Sequence, residues 1–219
     1  MYPGLPQRPW YDASEIPLAL ELERAAPAIA RELGAVDAAV FQRESEPNLA
    51  REGEWDVLFL YERGRRNDAN CAAVPAASHI VDAHPSAIRD LGGLAYFSRL
   101  APNTHVKPHR GPTNLRVRVH LGLHVPPDCG IAVAGEPRTW DEGRCLVFDD
   151  SFVHEVWNRS DRERIVLIVD VWHPALSRDE IELLTGLHRY AMSHAANLSA
   201  YWAHNERART EDAPGRAGF

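Results

Sequence analysis

Two histidines and a group of arginines, spread over several short segments, hold the chemistry this sequence offers. The segment Arg116-Val117-Arg118-Val119-His120-Leu121 alternates strictly. At the period of two that a β-strand imposes, Arg116, Arg118 and His120 share one face and Val117, Val119 and Leu121 the other. For an isolated strand, such a cationic face is ordinarily a solvated surface. The neighbouring segments shift that reading. Upstream, in His105-Val106-Lys107-Pro108-His109-Arg110-Gly111-Pro112-Thr113-Asn114, Pro and Gly fix a turn that presents an imidazole at a strand end. Downstream, Phe148-Asp149-Asp150-Ser151-Phe152-Val153-His154-Glu155-Val156-Trp157 sets a second histidine among apolar and aromatic residues, and Arg164 opens the next apolar segment. Neutral imidazole ligates transition metals, and the planar guanidinium meets a carboxylate with two parallel hydrogen bonds. Two histidines on separate strands of a barrel, with arginines on neighbouring strands, describe a metal site beside a carboxylate clamp.

The elements that must position these residues read as mainly β. From about 94 to 173, short runs of Val, Ile, Leu and Phe are separated by Pro, Gly, Asn and Asp, the pattern of an all-β sandwich or barrel. Strands are expected near 94–100, 105–108, 115–124, 130–134, 144–149, 153–157 and 164–172. Before them, Asp12 and Glu15 form a capping-box pattern, and Ile16, Leu18, Leu20, Leu22, Ala26 and Ile29 predict a helix over 13–33, kinked or restarted at Pro27. Val57-Leu58-Phe59-Leu60-Tyr61 predicts a strand stopped by Arg63-Gly64-Arg65-Arg66-Asn67, and a second helix is expected over 75–91. A helix from Ser177 to about 205 and a frayed terminus complete the chain.

Composition narrows the function classes. The 219 residues are 45% hydrophobic and 25% charged, which suits a folded domain with a sizeable core. A net charge of -7 supplies no overall basic field for phosphates, so nucleic acid is not an expected partner. Arg63, Arg65 and Arg66 then read as a solvated turn. Asp149 and Asp150 fall at a predicted turn where short acidic side chains cap backbone, with Asp150 kept as a candidate to support metal ligands. The amino terminus lacks the pattern of a secretory signal, and no apolar run approaches the ~20 residues of a membrane helix. Three cysteines with no close pair argue against a disulfide framework. The expectation is a soluble cytoplasmic protein with no membrane partner; its oligomeric state is left open.

Taken together, His109-Arg110-Gly111-Pro112-Thr113-Asn114, His120-Leu121-Gly122-Leu123, Phe148-Asp149-Asp150-Ser151-Phe152, His154-Glu155-Val156-Trp157 and Val169-Asp170-Val171-Trp172-His173-Pro174 resemble the catalytic domain of the aspartyl/asparaginyl β-hydroxylases. Tyr2-Pro3-Gly4-Leu5, Pro9-Trp10 and Gly64-Arg65-Arg66-Asn67 match as well, and the resemblance covers most of the chain. It implies a single oxygenase domain over 1–219: helical and strand support in 1–93, a double-stranded β-helix core of jelly-roll, cupin-like type in 94–174, and a C-terminal helix and tail in 175–219. It also implies iron(II), 2-oxoglutarate as co-substrate, and O2. The implied metal ligands are His109 and His154. Ser98, Arg118, His120 and Arg164 are implied for 2-oxoglutarate, with Arg164 on its distal carboxylate, and Arg116 for the substrate.

Two departures matter. Most of the wider superfamily carries a His-x-Asp pair, whereas Gly111 stands in the place of that carboxylate here, as in the β-hydroxylase branch, so that water would complete the metal site. In the substrate site, Tyr96 replaces a lysine of the animal enzymes, Val57 replaces a glutamine, and Ala50, beside Arg51, aligns with an arginine. The expected reaction is hydroxylation at the β-carbon of an aspartyl or asparaginyl unit, or a similar acidic or amide-bearing group, free, in a peptide or in a natural-product intermediate. The growth-factor-like domains of the animal enzymes are not expected substrates. The competing reading is a non-catalytic cupin-like domain that binds or senses a metal or 2-oxoglutarate; retention of both histidines together with Arg164 speaks against it. A zinc hydrolase would need a third histidine at ligand spacing and a matched base, and neither is apparent.

Overall fold

The computed structural model describes residues 1–44, 51–90 and 92–211, with the backbone alone for 51 and 196–211. Two units are distinguished, Met1–Leu176 and Ser177–Phe219. In chain order the first comprises β1 (Trp10–Tyr11), α1 (Pro17–Leu33), β2 (Gln42–Arg43), β3 (Arg51–Glu52), β4 (Trp55–Glu62), β5 (Arg65–Arg66), α2 (Asp68–Ala73), α3 (Pro75–Ala83), β6 (Leu94–Leu100), β7 (Thr104–His109), β8 (Arg116–His124), β9 (Cys129–Val133), β10 (Glu136–Arg138), β11 (Cys145–Phe148), β12 (His154–Asn158) and β13 (Arg164–Trp172). The second is the helix α4 (Arg178–Glu211). No helix among the described residues is long and apolar enough to cross a membrane.

The larger sheet runs β1-β11-β8-β13-β6-β4-β2, with β5 on β4, and the smaller runs β10-β9-β12-β7-β3. From β6 to β13 the chain winds between them. Strands β6, β8, β11 and β13 enter the larger sheet, while β7, β9, β10 and β12 enter the smaller. Eight antiparallel strands wound in this way form a double-stranded β-helix, the jelly-roll architecture of cupins. The first unit is therefore mainly β with flanking helices.

Strand periodicity decides what faces the barrel interior. On β13, the odd positions Leu167, Val169 and Val171 join a core with Leu18, Leu22 and Ile29 of α1 and Ala77 and Val81 of α3. The even positions Val166 and Ile168 join a second core with Trp55, Val57, Tyr96, Leu100, Ile131, Phe148 and Val156. A central strand buried on both faces must be apolar nearly throughout, which explains the run Ile165–Val169. On β8, Val117, Val119 and Leu121 belong to the helix side. Arg116, Arg118 and His120 consequently point into the barrel and are not a solvated face.

Helical expectations needed correction at the punctuating residues. The capping box of Asp12 and Glu15 forms, but it caps a single 3-10 turn, Ala13–Glu15. The regular helix restarts at Pro17, whose fixed φ suits the first helical position, and continues through Pro27 without a break. Buried Leu18, Ala19, Leu22, Ala26, Ile29 and Leu33 hold α1 together around the hydrogen bond that Pro27 cannot make to Glu23. The helix expected over 75–91 stops at Ala83, because His84 precedes Pro85 and takes an extended conformation. Short strands β1, β2, β3, β5 and β10 were not expected; each has two or three residues and no period to read. Arg63 and Gly64, with φ of 49° and 85°, form the two-residue turn between β4 and β5. The tail helix extends to Glu211; the frayed end beyond it, and Ala50, lie outside the described residues, as does the side chain of Arg51.

Candidate active site

His109 ends β7 and His154 opens β12, and the register sets them directly opposite each other. Between His154 and Val156 the register shifts, so that three residues of β7 span two of β12. The extra residue falls at Lys107-Pro108, and a bulge is where a strand accommodates a proline that cannot donate to the ladder. The two imidazole centroids end 4.2 Å apart. His109 Nδ1 donates to the Lys107 carbonyl at 2.8 Å, and His154 Nδ1 donates to the Phe152 carbonyl at 2.9 Å. A carbonyl only accepts, so each Nδ1 carries the proton and each Nε2 keeps its lone pair. Burial pushes His154 down to about 4 and holds His109 below its ordinary value as well. Both rings are neutral at neutral pH, with the Nε2 lone pairs free of the Nδ1 hydrogen bonds.

Arg116 and Arg118 meet two carboxylates. Arg116 lies 3.0 Å from Asp150 and 3.0 Å from Asp170; Arg118 lies 2.8 Å from Asp170 and 3.3 Å from Asp150. The β8–β13 register, which sets Arg118 opposite Asp170, produces this quartet. The flanking guanidinium groups hold Asp150 below the usual carboxylate range against the opposing effect of its burial. Of the predicted turn residues, only Asp149 caps backbone, accepting from the Ser151 amide at 2.9 Å. Gly111 explains the missing third carboxylate. A Cβ at that position would lie 2.6 Å from Asp150 Oδ1, so the Asp150 side chain occupies the space that any side chain at 111 would need. Among the described residues no group of three or more His, Cys, Asp or Glu side chains is placed to hold a metal.

Arg164 is 2% exposed, and no carboxylate of the described residues pairs with it. One of its terminal nitrogens donates to the Ser98 carbonyl at 3.2 Å and to Ser98 Oγ at 3.4 Å, while Nε has no partner. Burial lowers its pKa to about 10, still cationic at neutral pH. Its guanidinium sits 4.9 Å over the Trp140 ring, which stacks 6.0 Å from His120. Among the described residues neither nitrogen of His120 and not the indole nitrogen of Trp140 finds a partner. Buried polar groups are nearly always hydrogen-bonded, so this cluster of orphaned atoms around a buried cation is chemically suited to an anionic or polar ligand.

Two cavities meet between these groups. The wider, about 650 Å³, is lined by Arg116, Asp150, Phe59, Val57 and others; the inner, about 30 Å³, by Ser98, His120 and Arg164. Trp55, Tyr96, His109, Arg118 and His154 line both. The fold thus gathers the residues expected at the metal, the co-substrate and Arg116: His109, His154 and Arg118 line both cavities, Ser98, His120 and Arg164 the inner one, and Arg116 the wider one. Sequence reading missed the pairing of Asp170, although it shares the face of β13 with Arg164 at period two. It also missed Trp140, which lies in an irregular segment with no period to place it.

The family described as aspartyl/asparaginyl beta-hydroxylase matches residues 23–174, more than half of the chain. The human aspartyl/asparaginyl beta-hydroxylase is 41% identical over 181 residues, covering 80% of this chain, which spans only 24% of that protein's length. Human aspartate beta-hydroxylase domain-containing protein 1 is 40% identical over 193 residues, 83% of this chain and 49% of its own. A solved Pseudomonas putida prolyl-4-hydroxylase aligns with a TM-score of 0.44 at 18% identity, over 75% of this chain and 92% of that one. On the strength of the family match and these identities, the chain belongs to the aspartyl/asparaginyl β-hydroxylase family.

Proposed function

We propose that the protein is an iron(II)- and 2-oxoglutarate-dependent hydroxylase acting on the β-carbon of an aspartyl or asparaginyl unit, or of a similar acidic or amide-bearing group. The observation that carries this reading is the unpaired guanidinium of Arg164, buried beyond the histidine pair. A buried cation without a counter-charge is costly, and one carboxylate of a dicarboxylate co-substrate supplies the missing partner through two parallel hydrogen bonds. Ser98 lies beside it to share that contact, and His120 and Trp140 offer further unused polar nitrogens.

His109 and His154 would hold iron(II) through Nε2, and their donor set suits it: two neutral imidazoles, each fixed by a backbone carbonyl. When bound, the metal and 2-oxoglutarate supply the oxidation of a C–H bond by O2, with one oxygen atom entering the substrate and the other the succinate left after loss of CO2. The chain does the rest. Arg164 and Ser98 orient the co-substrate from its far end, and the aromatic and aliphatic walls keep water from the junction. Arg116, held by Asp150 and Asp170, lines the cavity on the other side, where the substrate's β-carbon would face the metal.

The test is anaerobic titration of the purified protein with iron(II) and 2-oxoglutarate, followed by the weak visible charge-transfer band of the chelate. A band in the wild type that vanishes in His109→Ala is the expected result. Its absence from folded, metal-loaded wild type would instead favour a non-catalytic cupin-like binding domain.

A further inference from the structure

We propose that the group the substrate presents beside the histidine pair is a neutral carboxamide, as on an asparaginyl side chain, rather than a carboxylate, and that the phenol of Tyr96 enforces the choice. The inference rests on the hydroxylase reading above and narrows its substrate class.

The charges nearest the junction of the two cavities are already balanced. Arg116 and Arg118 each contact both Asp150 and Asp170 within 3.3 Å, two cations against two anions. The remaining buried cation, Arg164, lies in the inner cavity, where the co-substrate is assigned. An incoming carboxylate would lose its water, find no unpaired cation beside it, and approach the Asp150 carboxylate that lines the wider cavity. An amide meets the opposite situation, because its NH2 group can donate to Asp150.

Tyr96 supplies the complementary donor. It is 4% exposed, lines both cavities and makes no hydrogen bond among the described residues. Phe59 lies opposite it across the β4–β6 pair, with ring centroids 5.2 Å apart, and steadies the phenol. Burial raises its pKa to about 12, so the hydroxyl remains a neutral donor throughout the physiological range. Phenol to amide oxygen, together with amide nitrogen to Asp150, satisfies both ends of a carboxamide. Trp55, Val57 and Leu94 give the wall apolar stretches. Its further polar groups are Gln42, the acids Glu44 and Glu62, which add negative charge, and Arg43 and Arg63, the former paired with Glu54 and Asp56. Arg110 also lines the wider cavity but is exposed to solvent, where its charge is screened.

Matched compounds test this: N-acetyl-asparagine amide against N-acetyl-aspartate amide, and peptides identical except for one central Asn or Asp. Oxygen incorporation is read by mass spectrometry with iron(II) and 2-oxoglutarate present. Binding of the same pairs to the zinc-substituted 2-oxoglutarate complex is read by equilibrium dialysis. The expected result is at least a tenfold advantage for the amide in kcat/KM, or in affinity where neither compound is oxidised. Tyr96→Phe should shrink that ratio severalfold and Tyr96→Lys should invert it. The preference is a ratio within each variant, so a general loss of activity cancels, and Tyr96→Phe stands alone if the lysine variant does not fold. Equal or better use of the acid by wild type, binding of neither compound, or an unchanged ratio in Tyr96→Phe overturns the proposal. An intact iron–2-oxoglutarate band accompanying such a result overturns this inference alone, whereas a missing band removes the hydroxylase reading as well.

Discussion

Beyond its contact with the Trp140 ring, Arg164 gains little from the fold around it. Its hydrogen bonds go only to Ser98, its Nε is left over, and burial pulls its pKa down to about 10. Replacing a poorly compensated buried charge by an apolar side chain of similar length is commonly neutral or stabilising. Arg164→Met in the ligand-free protein should therefore melt no lower than wild type and up to roughly 2–4 °C higher, a gain on the order of 1 kcal/mol. The same variant should lose most of its affinity for 2-oxoglutarate. A clear drop in melting temperature would mean that Arg164 is structural and would undercut the clamp. His109 and His154 contrast with it, since their Nδ1 protons are committed to Lys107 and Phe152 and only their Nε2 lone pairs remain for chemistry.

At the scale of elements, a bulge in β7 lies just before His109 where it pairs with His154, and the segment before β1 hydrogen-bonds to Asn114, Asp149 and His173. His173, just after β13, ties that segment down. Its Nε2 lies 2.7 Å from the Tyr11 hydroxyl and 3.1 Å from the Pro6 carbonyl, while its Nδ1 accepts from the Ala175 amide at 3.1 Å. A neutral ring satisfies all three contacts, whereas a protonated Nδ1 would face a donor. Burial lowers the pKa of His173 below the ordinary 6.5, outweighing the hydrogen bond to Pro6. The stabilisation that follows from a lowered value is complete above about pH 6.5 and is lost as pH falls through the folded-state value. Thermal melts of wild type and His173→Asn from about pH 5 to 8 should show the widest gap at the alkaline end, narrowing in acid. A gap that does not vary with pH would leave His173 a packing residue only.

For the whole molecule, the proposed function predicts that the stability of the first unit depends on metal and co-substrate. A ligand selective for the folded state at a hundred times its dissociation constant stabilises by about 2.7 kcal/mol, equivalent to roughly 5–10 °C for a domain of this size. Scanning fluorimetry with zinc, 2-oxoglutarate and both together should show the largest shift for the combination. Arg164→Met should lose the increment due to 2-oxoglutarate while keeping that due to metal. An equal increment in the variant would place the co-substrate elsewhere.

Much of this was legible in the residues themselves. Alternation along β8 placed Arg116, Arg118 and His120 on one face, and the apolar run over 164–172 marked a strand, because side-chain period follows from backbone geometry alone. The combination of histidines and arginines on turn-bounded strands suggested a metal site beside a carboxylate clamp, and the family resemblance supplied His109, His154 and Arg164. Which face of β8 looked inward was not decided locally; packing of α1 and α3 against Val117, Val119 and Leu121 settled it. Nor could local pattern reveal that Asp150 and Asp170 neutralise both arginines, that Trp140 stacks between His120 and Arg164, or that Tyr96 stands where two cavities join. Those are meetings of residues far apart in the chain, created by strand register and sheet closure, and only the tertiary structure determines them.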